Sequence, residues 1–122
     1  MAGMSQINYR GKTIFCLSVA GLQLQEKEVL AQLLREAKEE IRKHPPKSLL
    51  VITDVTNTGY DSEVAALFKE YAAHNTPYVK ASVVVGATGI QKVILAAIRT
   101  FTSRNIHLAP TVDEAKEWLV GQ

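Results

Sequence analysis

The sequence predicts an α/β fold: a single domain with a mostly parallel five-stranded sheet, an antiparallel N-terminal edge strand and about four helices. Three observations predict it. Apolar runs typical of strands alternate with segments of helical periodicity, and this alternation implies right-handed crossovers between parallel strands. The first two strands are separated only by Arg10-Gly11-Lys12, which suits an antiparallel hairpin. The chain of 122 residues has the length of one ordinary domain, so 1–122 is expected to form a single unit.

Each element in the first half of the chain has its own signal. Strands are predicted over Ile7–Arg10 and Thr13–Val19, which are rich in apolar and β-branched residues. A long amphipathic helix is predicted over Gln23–Lys43, and Pro45-Pro46 stops it. The unbroken apolar run Ser48–Thr53 suits a strand that is covered on both faces. The long helix is expected to direct six apolar residues inward: Val29, Leu30, Leu33, Leu34, Ala37 and Ile41.

The second half repeats the strand–helix pattern. Strands are predicted over Val79–Val85 and Ile106–Ala109, and Thr111 is the predicted N-cap of a terminal helix. That helix is expected to bury Ala115, Trp118 and Leu119. Two further helices precede these strands, one marked by Val64, Leu67, Phe68 and Tyr71, the other by Ile90, Val93, Ile94, Ala97 and Phe101.

Composition and charge exclude several classes of partner. Hydrophobic residues make up 47% of the chain and charged residues 21%, as in folded globular domains. The net charge of +2 has both signs interspersed, so neither nucleic acid nor an anionic membrane is an expected partner. The most apolar window, 79–98, is interrupted by Lys80 and Lys92 and predicts no membrane span. The N-terminus has no signal-peptide pattern, so the expected location is cytoplasmic.

Chemical motifs are few. The single cysteine, Cys16, excludes an internal disulfide and a cysteine-rich zinc site, and it is expected to be a small buried residue. His44, His74 and His107 show no metal-ligand spacing, so no metal is expected. Gly86-Ala87-Thr88-Gly89 follows a strand but matches no nucleotide-binding fingerprint. Since the chain also has no recognised acid–base pair or nucleophile motif, we expect no enzymatic activity and no cofactor.

The candidate site lies beyond the carboxyl ends of the strands, where ligands bind in open α/β sheets. The longest polar connection there runs from Asp54 to Glu63. A hydroxyl at a helix start can carry a phosphate, because unpaired N–H groups and the helix dipole favour negative charge. The candidate residues are Asp54, Thr56, Asp61 and Glu63 for partner docking, Ser62 and Thr58 as phosphoacceptors, and Gly86, Thr88 and Gly89 as a loop at a neighbouring strand end. Ordinary helix capping by Asp61 or Ser62, and by Thr88, is the alternative.

Several segments taken in order resemble a known family. They are the hairpin, the long helix, the run Leu49–Asp54, the polar loop to Asp61-Ser62, and the pattern Thr-x-x-Glu-Ala-x-x-Trp-Leu over 111–119. This order is similar to the STAS domain superfamily, in particular its SpoIIAA-like branch, whose fold is that of bacterial anti-sigma factor antagonists and is related to CRAL-TRIO lipid-binding domains. The resemblance implies a non-enzymatic regulatory protein whose partner is an anti-sigma factor or a kinase-like regulator.

The resemblance also implies a switch residue. In the antagonists, a serine in an Asp-Ser-Ser-Gly context at a helix start is phosphorylated by a partner kinase. The matching place here reads Asp61-Ser62-Glu63-Val64, so Asp61 and Ser62 correspond, whereas the second serine and the glycine do not. The leading hypothesis is a module that docks a protein partner through residues 54–71 and is switched at Ser62 or Thr58. The alternative is a carrier of a small apolar ligand or lipid, with a pocket between helices and sheet. The sequence leaves open a homodimer formed by pairing of the edge strand.

Overall fold

A five-stranded sheet forms the centre of the molecule, in the order β1 (Gly3–Tyr9), β2 (Lys12–Ser18), β3 (Leu49–Asp54), β4 (Val79–Val85) and β5 (Ile106–Ala109). The structure is a computed structural model and describes residues 2–89, 91–92, 95–96 and 105–122. β1 pairs antiparallel with β2, and all other neighbouring strands are parallel. The predicted mixed sheet with an antiparallel edge strand is therefore confirmed.

Three α-helices have defined bounds: α1 (Lys27–Ile41), α2 (Ser62–Asn75) and α3 (Val112–Val120). α1 links β2 to β3, α2 links β3 to β4, and α3 follows β5. About four helices were expected. The remaining one was marked by residues that lie outside the described part of the chain, namely Ile90, Val93, Ile94, Ala97 and Phe101. The described positions within it, 91–92 and 95–96, are helical.

The two faces of the sheet bury separate hydrophobic clusters. α1 and α2 pack on one face, where Phe15, Leu17 and Val51 are buried beneath them. α3 packs on the other face, above Ile52 and Val83. Because both faces of the sheet are covered, the side chains on both faces of β3 are shielded from water. This explains the unbroken apolar run in the sequence.

The first helix differs from its prediction at the N-terminal end. A 3-10 turn over Leu24–Glu26 precedes α1, which begins at Lys27 and not at Gln23. Gln23 has extended backbone, and its side-chain amide donates to the carbonyl oxygens of Gly21 and Asn57 at 3.1 and 2.8 Å. These bonds hold Gln23 outside the helix. Val29 was expected to face inward but is 48% exposed, whereas the core side of α1 consists of Leu30, Leu34, Ala37 and Ile41.

The edge strand is longer than its apolar pattern predicted. β1 begins at Gly3 and not at Ile7, because it pairs with β2 over the full length from Gly3↔Ser18 to Tyr9↔Lys12. Its outer edge has no neighbouring strand within the sheet, so pairing with a second copy stays a prediction. In the part of the chain that is described, no helix combines the length and the apolar character needed to cross a membrane.

Candidate functional site

The loop after β3 begins with a turn built by Asp54. Its Oδ1 accepts hydrogen bonds from the backbone N–H of Thr56 at 3.0 Å and from Thr56 Oγ1 at 2.6 Å. Thr56 in turn lies against Gly86 at the end of β4, where an added Cβ would come within 2.1 Å of Thr56 Oγ1. Gly86 also has a φ of +80°, which side chains rarely adopt. Asp54 therefore forms a turn that ties the ends of the two central strands together.

An open groove of about 530 Å³ follows these strand ends. Four of the predicted site residues line it: Thr56, Thr58, Gly86 and Thr88. Its other lining residues are Asn57, Ala87, Gln91, Lys92, Leu108, Ala109 and Pro110. Gly89 follows Thr88 and is exposed. The structure thus brings the loop after β3 and the loop after β4 to one surface, as the parallel arrangement of the strands requires.

The middle of the loop is fixed against the segment that follows β2. Thr58 is 9% exposed, and its hydroxyl donates to the carbonyl oxygen of Val19 at 2.9 Å. The next residue, Gly59, donates its N–H to the carbonyl oxygen of Leu22 at 2.7 Å. A Cβ at Gly59 would lie 2.8 Å from the backbone nitrogen of Leu24, so only glycine allows this close approach. These contacts make the loop a defined surface, because its backbone is held at several points.

Asp61 and Glu63, at the start of α2, form a second group with Lys27 of α1. Asp61 is the N-cap of α2, with its Oδ1 accepting from the N–H of Val64 at 3.0 Å. Its other oxygen forms an ion pair with Lys27, whose Nζ lies 3.6 Å from Glu63 Oε2. The hydrogen bond from Lys27, followed by that from Val64, holds the pKa of Asp61 below its usual range. Ser62, between the two carboxylates, is exposed as the first residue of α2.

This group borders a groove between α1 and α2 with a volume of about 370 Å³. Small or apolar side chains and charged ones line it together: Ala31, Ala66, Leu67, Lys27, Glu28, Glu63 and Glu70. Ala66 is exposed and Leu67 is half-buried. A second ion pair, between Lys38 and Glu70 at 2.7 Å, joins the two helices farther along. The predicted docking segment therefore carries both hydrophobic and charged groups on one accessible face.

A separate cavity of about 70 Å³ lies between α2 and the sheet. The residues lining it are Val51, Thr53, Val55, Tyr60, Phe68, Tyr71, Ala72, Asn75, Ser82, Val84, Gln91, Leu95 and Ile106. Most of these described residues are apolar, and none of them carries a charged side chain. The hydroxyl of Tyr60 is buried and has no hydrogen-bond partner within the described parts of the chain. Burial, with a smaller contribution from Asp61, raises the pKa of Tyr60.

Two other sequence expectations concern single residues. Cys16 was expected to be buried and is half-buried on the α3 face of the sheet. Burial, and secondarily the charge of Asp54, raises the pKa of its thiol, which disfavours the reactive thiolate. Within residues 2–89, 91–92, 95–96 and 105–122, no group of three His, Cys, Asp or Glu side chains is placed to hold a metal ion.

Sequence reasoning missed three residues that shape the site. Lys27 lies on another helix, so no local spacing connects it with Asp61. The Gln91 side chain accepts a hydrogen bond from the N–H of Thr88 at 3.1 Å, and its amide nitrogen donates to the carbonyl oxygen of Thr58 at 3.4 Å. These two bonds link the loop after β3 to the loop after β4. Tyr60 could have been noticed in the sequence, because it is an aromatic residue inside an otherwise polar loop.

Comparisons with known proteins agree with this architecture. No protein-family model and no curated protein matches the sequence. Among solved structures, the chain is similar to an uncharacterised protein of the DUF3478 family with a SpoIIAA-like fold from Shewanella loihica PV-4. The TM-score is 0.67 at 18% sequence identity, and the match covers 98% of this chain and 95% of that chain. The chain accordingly has a SpoIIAA-like fold, as its segment order had indicated.

Proposed function

We propose that this protein is a non-enzymatic regulatory module that docks a protein partner through residues 54–71 and is switched by phosphorylation of Ser62. The observation that carries the proposal is the position of the Ser62 hydroxyl. Ser62 is exposed at the first position of a fourteen-residue helix, directly after the N-cap Asp61, and the loop that leads to it is fixed to the rest of the domain. The SpoIIAA-like fold supports the proposal, and so does the resemblance of Asp61-Ser62 to the Asp-Ser pair of the antagonists' phosphorylation motif.

Ser62 is a better acceptor than Thr58 for a physical reason. The Thr58 hydroxyl is buried and already donates to the Val19 carbonyl oxygen, so a kinase could reach it only after the loop had opened. The Ser62 hydroxyl needs no such opening. We therefore assign the switch to Ser62 and the docking surface to the loop 54–61 together with the exposed face of α2.

A phosphate on Ser62 would change the charge of the docking surface. It would add about −1.5 to −2 charges between Asp61 and Glu63. Lys27, which now contacts both of these carboxylates, would be the nearest cation available to the phosphate. Competition for Lys27 would loosen the ion pairs that join the first turns of α1 and α2. The switch thus acts at the groove between α1 and α2, which borders the proposed docking surface.

Phosphopeptide mapping of the protein purified from its native cells tests the switch. The proposal predicts phosphate on Ser62 and none on Thr58. The absence of phosphate from the whole segment Thr56–Ser62, in cells sampled through growth and starvation, would contradict it. The matched variant Ser62→Ala should lose the phosphorylated peptide. Its unfolding midpoint should not change, because the Ser62 hydroxyl makes no hydrogen bond to the described residues.

A second candidate function, a small-molecule carrier, is favoured by one observation: the apolar cavity between α2 and the sheet. Its volume of about 70 Å³ limits what it can carry. An engineered cavity of about 150 Å³ holds one benzene molecule, so a lipid chain does not fit here without separation of the surrounding elements. Native mass spectrometry tests this candidate: a small co-purifying mass supports a carrier, and a bare chain contradicts it.

A further inference from the structure

The cavity beneath α2 combines apolar walls with the Tyr60 hydroxyl, a polar group without a hydrogen-bond partner among the described residues. Side chains of β3, β4 and α2 form its walls, including Val51, Val84 and Phe68. Tyr60 also lines it, and the Tyr60 hydroxyl is buried without a hydrogen-bond partner among the described residues. Leaving a buried hydroxyl unpaired is unfavourable, so such groups in folded proteins are usually satisfied by protein, water or ligand.

The polar group is a hydrogen-bond donor at neutral pH. A tyrosine hydroxyl carries its proton up to a pKa of about 10. The environment moves the Tyr60 pKa upward, chiefly through burial, so the hydroxyl stays protonated. A ligand that satisfies it must therefore offer an acceptor, such as a carbonyl or ether oxygen. Among the described residues, no lysine, arginine, histidine or acidic side chain lines the cavity, so a charged ligand would lose its hydration without gaining a counter-ion from them.

We propose that this cavity binds a small neutral molecule whose apolar part packs against Phe68 and Val51 and whose oxygen accepts a hydrogen bond from the Tyr60 hydroxyl. The buried part of the ligand is limited to a few carbon atoms, because the cavity has about half the volume that accommodates benzene. This inference names the ligand class of the carrier function described above and rests on that candidate. It does not depend on partner docking or on phosphorylation of Ser62.

Three small probes separate the contributions. Butan-2-one is neutral and has an acceptor oxygen, propanoate has a charged acceptor, and xenon is apolar without an acceptor. Each is titrated into the isotope-labelled full chain and followed by amide chemical shifts. We expect butan-2-one to shift the amides of Val51, Phe68 and their neighbours in a saturable manner. Propanoate at the same concentration should leave them unchanged.

Variants locate the site and test the role of the hydroxyl. Tyr60→Phe should weaken butan-2-one binding by about three- to tenfold, as expected for one net hydrogen bond, and should leave xenon binding unchanged. Ala72→Leu, which fills the cavity from α2, should abolish binding of both probes. Its control is Ala73→Leu, at the next and exposed position of the same helix, which should bind both as the wild type does.

The outcomes distinguish failure of the ligand class from failure of the carrier function. If xenon binds in the cavity and butan-2-one binds equally well to the wild type and to Tyr60→Phe, the assigned hydrogen bond is wrong although the cavity accepts ligands. Propanoate binding as tight as that of butan-2-one would overturn the preference for a neutral ligand. If no probe shifts the cavity amides, both this inference and the carrier function are wrong.

Discussion

The side chain of Thr56 occupies the space that a Cβ on Gly86 would need, because such a Cβ would lie 2.1 Å from Thr56 Oγ1. This contact joins the ends of β3 and β4, and Asp54 holds Thr56 in place through two hydrogen bonds. The position of the loop after β3 therefore depends on a residue that has no side chain, Gly86.

Replacing Gly86 with alanine should destabilise the protein strongly. The left-handed backbone costs an alanine about 1–2 kcal/mol, and the overlap with Thr56 adds about 1–3 kcal/mol. Gly21→Ala is a matched control, because Gly21 has nearly the same φ, +81°, but nothing lies within 4 Å of its Cβ position. Urea unfolding of both variants measures the difference. Equal losses of unfolding free energy would show that the contact with Thr56 has no energetic consequence.

The buried hydrogen bond of Thr58 should contribute to stability. Thr58→Val keeps the shape of the side chain and removes the donor to the Val19 carbonyl oxygen. We expect a loss of about 1 kcal/mol in the free energy of unfolding. Thr58→Ser, which retains the hydroxyl, should lose less. A valine variant as stable as the wild type would contradict the role assigned to this bond.

Removing the unpaired hydroxyl of Tyr60 should stabilise the free protein. Tyr60→Phe eliminates a buried donor without a partner, so the free energy of unfolding should rise by about 1 kcal/mol and the melting temperature by a few degrees. Tyr9→Phe is the control, because the Tyr9 hydroxyl donates to Glu117 and its removal should not stabilise. A destabilised Tyr60→Phe variant would indicate that the hydroxyl has a partner after all.

The ion pair of Asp61 predicts a pH dependence. Hydrogen bonds from Lys27 and Val64 lower the folded-state pKa of Asp61 from its ordinary 3.8, so its contribution to stability is present above that pH and is lost as the pH falls through the lowered pKa. Asp61→Asn retains an N-cap side chain but not the charge. The stability difference between wild type and Asp61→Asn should thus be constant near neutral pH and shrink below about pH 4. A difference that is unchanged down to pH 2 would contradict this.

Local sequence patterns predicted those elements whose signal lies within the element itself or in the residues next to it. The uninterrupted apolar run of β3 follows from burial on both faces, and β4 was predicted with its observed bounds, Val79–Val85. Thr111 was predicted as an N-cap, and Asp61 was one of two candidates for the N-cap of α2, because capping depends on neighbouring backbone alone.

Features that depend on contacts distant in sequence could not be predicted. Val29 has helical spacing with the core residues of α1, yet it lies at the margin of the buried face and is exposed. The pairing of Lys27 with Asp61 requires the packing of α1 beside α2. The cavity could not be predicted either, because Tyr60, Phe68 and Val51 line it together only when α2 is packed on the sheet.

Site-specific photo-cross-linking in native cells tests the docking surface most directly. With p-benzoylphenylalanine at Ala66, an exposed position on α2, we expect one defined protein adduct, and none with the same group at Asp113 on the opposite side of the sheet. Ser62→Asp, introduced to mimic the phosphorylated state, should diminish the adduct at Ala66. The absence of an adduct at Ala66, or equal adducts at both positions, would contradict a docking surface over residues 54–71.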